Sequence, residues 1–163
     1  MPGPPAALAS RKVSLIEFDG VLFPSHQIKR NPVHYGKSRI DRFDAPDGSY
    51  EVLYAGRDAY CAFIKTFARS AGASIVTTAE LEARAFSKLK ATRPLNLIDL
   101  TQSGALARMG ADSRLFAGDY SIAQLWSSAF HEHPAQADGF IYPAEAAGQS
   151  AARGDVLIGS NSC

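Results

Sequence analysis

The feature that most constrains the fold is the stretch 39–67, which carries four local signals in order. An arginine-bearing loop leads into Pro46-Asp47-Gly48, whose residue types favour a tight turn. The segment 50–54 alternates around an apolar residue, as a strand does, and ends in a tyrosine. Apolar residues then recur at helical spacing across 57–69. The stretch therefore predicts a loop, a turn, a strand and a helix in direct succession.

The remainder of the chain mixes strand and helix signals. The segment 21–23 is expected to return as a strand beside 13–18, because Asp19-Gly20 is a turn signal. Since strands and helices do not alternate strictly, the chain is predicted to have an α+β fold. The other predicted elements are strands at 74–77, around Phe86 and Leu89, and at 95–100, 139–142 and 156–158, and helices at 104–109, after an N-cap at Thr78, and from Asp119 to Pro134.

Length and composition narrow the class of protein. The chain has 163 residues and a formal net charge of +1, so one domain is expected over 13–163, after a disordered lead-in at 1–12. The near-neutral charge gives no drive toward direct nucleic-acid binding. No apolar run reaches the roughly 20 residues of a membrane span. Two cysteines form neither a disulfide framework nor a zinc site, so a cytoplasmic protein without a metal is expected.

A second feature is the polar loop 24–48, in which basic and aromatic residues are interleaved. Arginine binds phosphate through two hydrogen bonds, and an aromatic ring offers a flat stacking surface. The loop therefore suits a ligand that carries a pyrophosphate and an aromatic base, of which NAD is one example. The alternative is a solvated basic loop that binds nothing. Its members are Arg30, Lys37, Arg39 and Arg42, together with His34, Tyr35 and Phe43.

A series of short motifs along the chain resembles the RES domain, a family of bacterial toxins that attack NAD. The resemblance runs from about Val13 to Tyr142, and its specificity lies in the colinear order of the motifs. The matching motifs are His34-Tyr35-Gly36, Arg42-Phe43-Asp44, Pro46-Asp47-Gly48, Val52-Leu53-Tyr54, Ala62-Phe63-Ile64, Arg93-Pro94-Leu95, Ile98-Asp99-Leu100, Leu106 to Gly110, Gly118-Asp119-Tyr120 with Gln124, and Asp138-Gly139 with Tyr142.

The resemblance implies a fold like that of ADP-ribosyltransferases, with NAD in a central cleft as substrate or ligand rather than as a resident cofactor. Family members cleave or phosphorolyse NAD, or transfer its ADP-ribose to a protein. Arg42 would then hold the pyrophosphate and Tyr54 would line the nicotinamide pocket, with Arg39 and Tyr35 as further nucleotide-binding residues. An alternative for Tyr54 is a buried strand tyrosine whose hydroxyl is satisfied within the protein.

Three positions depart from the family pattern. The family's first arginine falls on Pro24, its glutamate on Lys65 and its serine on Ala123. If the family's first arginine aligns a few residues away from Pro24, Lys29 or Arg30 would supply its positive charge. Because Lys65 would place a cation where the reaction develops positive charge, catalysis is expected to be impaired or absent.

Two functional hypotheses follow from these residues. The first is an enzyme, the toxin of a bacterial toxin–antitoxin module that consumes NAD or ADP-ribosylates a protein. The second is a catalytically silent RES-fold binding module that holds a protein partner or an unchanged nucleotide. The resemblance implies a protein partner in both cases, either an antitoxin with a helix-turn-helix domain or another RES subunit, and a homo-oligomer is the further alternative.

Overall fold

The computed structural model describes residues 1–36, 38–67, 75–143 and 155–160, the last of these as backbone only. Lys37, Arg69 and Ser74, predicted to lie in the basic loop, a helix and a strand, are outside the described residues. The strands are β1 Leu15–Phe18, β2 Val21–Leu22, β3 Ser25–Gln27, β4 Glu51–Gly56, β5 Arg84–Phe86, β6 Leu89–Lys90, β7 Leu95–Asp99, β8 Gly139–Tyr142 and β9 Asp155–Ser160. The helices are α1 Ala59–Phe67, α2 Thr78–Glu82, α3 Ala105–Met109, α4 Arg114–Ala117 and α5 Tyr120–His131.

Five of these strands form a central mixed sheet in the order β1-β7-β8-β9-β4, in which only the β7–β8 pair is parallel among the described strands. Successive strand residues face opposite sides of the sheet. In β7, Leu97 and Ile98 accordingly belong to two different apolar clusters, and in β8 the same holds for Phe140 and Ile141. The middle of the sheet, at β7 and β8, is therefore buried on both faces, and the α+β fold predicted from the sequence is confirmed.

The larger cluster, built around Trp126 of α5, contains the loop residue Phe43 and the strand residue Val52. The smaller cluster is built from Phe18, Leu22, Leu95 and their neighbours. Burial of these side chains is the main source of stability for such a domain. Because α5 and the basic loop share one core, the loop is fixed to the sheet.

Local sequence signals set the ends of most helices. The Asp119 carboxylate accepts a hydrogen bond from the Ser121 backbone and caps α5. Gly110 ends α3 with a φ of 88°, a conformation that favours glycine. Helix α4 carries no signal that the sequence analysis recognised. Among the described residues, no helix is long and apolar enough to cross a membrane.

Three sequence expectations differ from the structure at the level of single elements. β1 pairs with β7 while β2 pairs with β6, so 13–18 and 21–23 do not form the predicted hairpin. Residues 75–77 are not a strand, because Thr77 caps α2 through a reciprocal hydrogen-bonded box with Glu80. The cap is Thr77 and not the predicted Thr78.

The N-terminal segment also differs from the expected disordered lead-in. Leu8 lies in a short 3-10 helix and is buried in the larger cluster. The Trp126 indole donates a hydrogen bond to the Pro2 carbonyl at 3.2 Å. The His133 ring donates to the Arg11 carbonyl at 3.2 Å. An apolar anchor and two long-range hydrogen bonds hold this segment against the domain.

Candidate active-site cleft

Two adjoining cavities form a cleft between α1, the β3–β5 pair and the end of β4. The smaller cavity has a volume of about 220 Å³ and the larger one about 470 Å³. Thr66 and Arg84 line both of them. Taken together, the two cavities have the size of a small-molecule site. The smaller cavity is lined by Phe23, Ser25, Asp41, Tyr54, Ala55, Gly56, Ala62, Lys65, Thr66 and Arg84, and the larger by Gln27, Ile28, Lys29, Thr66, Phe67, Glu80, Ala83 and Arg84.

The short connection between β4 and α1 brings Tyr54 and Lys65 to the same cavity. A side-chain carbon on Gly56 would lie 2.6 Å from the Ala62 nitrogen, so only glycine permits the close approach of strand and helix. The Asp58 carboxylate then accepts a hydrogen bond of 2.7 Å from the Cys61 backbone at the start of α1. The strand–helix unit predicted from 39–67 is thereby confirmed, with the helix at Ala59–Phe67.

Lys65 places a positive charge inside the cleft. Its ammonium donates a hydrogen bond to the Tyr142 hydroxyl and lies 3.9 Å from the centre of the Tyr142 ring. A cation held against an aromatic face is stabilised by the ring quadrupole. The position at which the sequence analysis expected the family glutamate therefore holds a fixed cation beside Tyr54.

The hydroxyl of Tyr54 is occupied by contacts within the protein. It accepts a hydrogen bond from the Phe43 backbone at 3.0 Å and donates one to Asp44 at 3.1 Å. Burial and the neighbouring Asp44 carboxylate raise the pKa of Tyr54 far above its usual value, so the phenol stays neutral. Tyr54 lines the cleft and is partly buried, with a hydroxyl satisfied within the protein, as in the alternative that the sequence analysis gave for it.

Asp44 organises the loop around Tyr54. This carboxylate is 2% exposed. It accepts hydrogen bonds from the Ser38 hydroxyl at 2.7 Å and from the Asp41 backbone at 3.2 Å, in addition to the bond from Tyr54. A buried carboxylate with several donors is well compensated. The loop conformation, and through it the position of Asp41 in the cleft, rests on this group.

The two arginines predicted to bind the nucleotide have other neighbours in the structure. The Arg42 guanidinium donates to the Gly118 carbonyl at 2.8 Å and lies 4.4 Å from the centre of the Tyr120 ring. The Arg39 guanidinium lies against Gly48 in the adjacent turn. Neither residue is among those that line the two cavities.

Tyr35 packs against the smaller apolar cluster and is likewise outside the cavity lining. The adjacent residue Gly36 pairs with Val52 of β4 through two backbone hydrogen bonds. This isolated bridge holds the first part of the basic loop on the central sheet. Of the nucleotide-binding residues predicted from the sequence, the structure thus brings only Tyr54 to the cleft, with Lys65 beside it.

Pro24 and Ala123 lie in the protein interior. Pro24 is fully buried, whereas Phe23 and Ser25 on either side of it line the smaller cavity. Because side chains alternate along an extended segment, a longer side chain at position 24 would point away from the cleft. Ala123 is 1% exposed in the larger apolar cluster. Of the two residues that the sequence analysis offered in place of Pro24 as a source of positive charge, Lys29 lines the larger cavity. The other, Arg30, contacts His34.

Ser25 and Arg84 are among the cleft residues that the sequence analysis did not single out. Antiparallel pairing of β3 with β5 brings them together, with Ser25 opposite Phe86 and Gln27 opposite Arg84. These two strands are far apart in the sequence and have three residues each. Strands this short give too little periodicity to predict their pairing.

Both histidine rings of the segment His131-Glu132-His133 contact other parts of the protein. The His131 ring stacks on Tyr50 with the ring centres 4.2 Å apart. His133 accepts a hydrogen bond from the Ala135 backbone and donates to Arg11, as described for the N-terminal segment. In the described part of the chain, no group of three or more histidine, cysteine, aspartate or glutamate residues is placed to hold a metal ion.

Comparison with known proteins assigns the family. The RES domain model matches residues 17–152, so the chain belongs to the RES domain family. A chain of the crystal structure of the M. tuberculosis MbcT-MbcA toxin–antitoxin complex has a similar fold, with a TM-score of 0.72 and 19% sequence identity. The similarity covers 95% of this chain and 82% of that chain. A search of curated proteins found no match. The RES resemblance inferred from the sequence motifs is therefore confirmed.

Proposed function

We propose that this protein is the toxin-like member of a two-protein module, and that its cleft binds an NAD-type dinucleotide without cleaving it efficiently. Three observations support the proposal. The chain has a RES domain, its fold is similar to a chain of a toxin–antitoxin complex, and Tyr54 lies in a cleft large enough for a small-molecule ligand.

The proposal that cleavage is inefficient depends on one observation. The Lys65 ammonium lies in the same cavity that Tyr54 lines. Cleavage of the nicotinamide–ribose bond passes through a positively charged sugar. A like charge about 4 Å from the sugar raises the barrier by at most about 4 kcal/mol at an effective dielectric constant of about 20, since the nicotinamide ring carries the positive charge before the bond breaks. That corresponds to a rate about a thousandfold lower. The phosphates of the same ligand carry negative charge, so Lys65 favours binding while it opposes cleavage.

A series at position 65 tests this reasoning. We expect NAD turnover to rise from the wild type through Lys65→Gln to Lys65→Glu, because the first change removes the repulsion and the second replaces it with attraction. Turnover is measured as nicotinamide release from NAD by the purified proteins, with and without inorganic phosphate, so that hydrolysis and phosphorolysis are both detected. The neutral glutamine variant separates the effect of the charge from that of a changed side chain.

The alternative function is a fully active NAD-consuming toxin. It predicts the fastest nicotinamide release in the wild type, and NAD loss with growth arrest in bacteria that express it. A wild type faster than Lys65→Glu would therefore replace our proposal with this alternative. Introducing the family's residues by Pro24→Arg or Ala123→Ser is not a suitable test. Both positions are buried, and the larger polar groups would destabilise the core.

We further propose that the physiological partner is a protein. The similar chain comes from a toxin–antitoxin complex, which is the observation that supports this. An antitoxin with a helix-turn-helix domain, a second RES subunit and self-association make different predictions. Light scattering of the protein alone distinguishes self-association from the other two, because it measures the molar mass of a protein without a partner.

A further inference from the structure

A charged side chain lies at the junction of the two cavities. Arg84 of β5 lines both of them and is exposed. Within the described part of the chain, its guanidinium forms no hydrogen bond or ion pair. An arginine in a cleft with its five donors free can bind a phosphate through two parallel hydrogen bonds.

The groups around Arg84 extend this positive site in both directions. Lys65 lines the smaller cavity and Lys29 the larger one. Among the described residues, one carboxylate lines each cavity, Asp41 the smaller and Glu80 the larger. The Glu80 carboxylate accepts hydrogen bonds from the backbone and the hydroxyl of Thr77. The described lining of each cavity therefore has two cationic side chains against one carboxylate, and an anionic group is attracted to the point where the cavities meet.

A second observation points to a ligand at the same place. Ser25 lines the smaller cavity, and its hydroxyl is shielded from solvent and has no hydrogen-bond partner among the described residues. Buried polar atoms without a partner are rare in folded proteins, because leaving one unsatisfied is costly. A phosphate oxygen in the cavity would accept a hydrogen bond from this hydroxyl.

Strand pairing explains why this charge comes from position 84 and not from position 24. Pro24 is buried on the opposite side of the chain from its neighbours Phe23 and Ser25. β5 lies antiparallel to β3, with Arg84 opposite Gln27, so a side chain on β5 reaches the same cleft from the neighbouring strand.

We propose that Arg84 is the phosphate-binding residue of the cleft, with Ser25, Lys29 and Lys65 around it. This inference deepens the proposed function and rests on it for the identity of the ligand. The ligand class is a pyrophosphate that joins two groups, one for each cavity, as in a nucleoside diphosphate with a second group attached. The pyrophosphate lies at Arg84, where the two cavities meet.

The test compares Arg84→Gln with Lys88→Gln. Both substitutions remove one positive charge, and Lys88 lies close to Arg84 in sequence but outside both cavities. Binding of ADP, of inorganic pyrophosphate and of adenosine is measured by calorimetric titration, and thermal unfolding verifies that each variant is folded. NAD is titrated into the wild type in parallel.

We expect Arg84→Gln to weaken the binding of ADP and pyrophosphate about tenfold to a hundredfold, the loss associated with a charge-assisted hydrogen bond. Lys88→Gln should bind both as the wild type does, Arg84→Lys should recover part of the affinity, and adenosine should bind equally to all of them. Equal affinity of Arg84→Gln and the wild type for pyrophosphate would overturn the assignment while leaving the proposed function intact.

The remaining outcomes separate the two proposals. Binding of pyrophosphate through Arg84 without binding of NAD would support the assignment and contradict the proposed function. A wild type that binds neither pyrophosphate nor any of the nucleotides would contradict both.

Discussion

The motif-bearing part of the polar loop, residues 38–50, and the cleft behind it differ in how their polar groups are satisfied. In the loop, the Asp44 carboxylate and the Arg42 guanidinium have partners within the protein. In the cleft, the Tyr54 hydroxyl and the Lys65 ammonium also have partners, whereas the Ser25 hydroxyl and the Arg84 guanidinium have none among the described residues. The loop carries the denser sequence motifs, yet the groups without a partner lie in the cleft.

This difference shows that an arginine-rich, motif-bearing loop can serve mainly to hold a site in place. The loop is attached to α5 by hydrogen bonds from Gln124 to the carbonyls of Arg39 and Asp41, both 3.0 Å long. It is attached again by the Ser127 hydroxyl, which donates to the Phe43 carbonyl at 2.7 Å. Paired groups stabilise the fold, whereas unpaired groups in a cavity are available for binding.

The largest effect on the free energy of unfolding is expected from a substitution at Ser127. Its hydroxyl also accepts a hydrogen bond from Tyr50 at 2.8 Å, and burial raises the pKa of Tyr50 to about 12, so that phenol is neutral at ordinary pH. Ser127→Ala would leave two buried polar groups without partners and lower the free energy of unfolding by about 2–4 kcal/mol. Chemical denaturation measures this change.

The matched control for Ser127 is Ser128→Ala, on the next residue of the same helix. Ser128 is only half-buried, so its replacement should have little effect. Equal destabilisation by the two substitutions would show that the hydrogen bonds to the loop do not stabilise the fold and that the contrast with the cleft is wrong.

A smaller effect on the free energy of unfolding is expected from a substitution at Arg42. Arg42→Gln removes the hydrogen bond to Gly118 and the contact with the Tyr120 ring, and should lower the free energy of unfolding by about 1–2 kcal/mol. Nucleotide affinity should be unchanged, because Arg42 does not line the cavities. Arg39→Gln, in the exposed part of the same loop, is the control for loss of charge. A large loss of affinity without loss of stability would make Arg42 a ligand-binding residue, as the family resemblance implied.

The smallest effect on stability is expected at Ser25. Ser25→Ala removes a hydroxyl that has no partner among the described residues, so the free energy of unfolding should change by less than about 1 kcal/mol, or rise slightly. Affinity for ADP should fall. Ser25→Ala and Ser127→Ala make the same chemical change in the two regions, and destabilisation of similar size at both positions would contradict the comparison.

Local signals in the sequence predicted much of the fold. The turn at Gly48, the cap at Asp119 and the end of α3 at Gly110 are each determined by one or two residue types. The nearness of Tyr54 and Lys65 follows from a strand and a helix joined by a short connection, which the pattern of 50–69 also predicted.

The parts that could not be predicted depend on contacts between distant segments. The partner of β2 is β6 and not β1, and this pairing is set by the smaller apolar cluster. Arg84 enters the cleft only because β5 pairs with β3. The burial of Pro24 depends on the alternating direction of side chains along a very short extended segment. The hydrogen bond from Arg42 to Gly118 joins residues far apart in the chain.

The most direct test of the central claim is a calorimetric titration of the wild-type protein with NAD, with nicotinamide release measured in the same sample. We predict binding that saturates, with nicotinamide release up to about a thousandfold slower than in Lys65→Gln and slower still relative to Lys65→Glu. Rapid release by the wild type, or no binding of NAD at all, would contradict the claim that the cleft holds the dinucleotide while Lys65 prevents its cleavage.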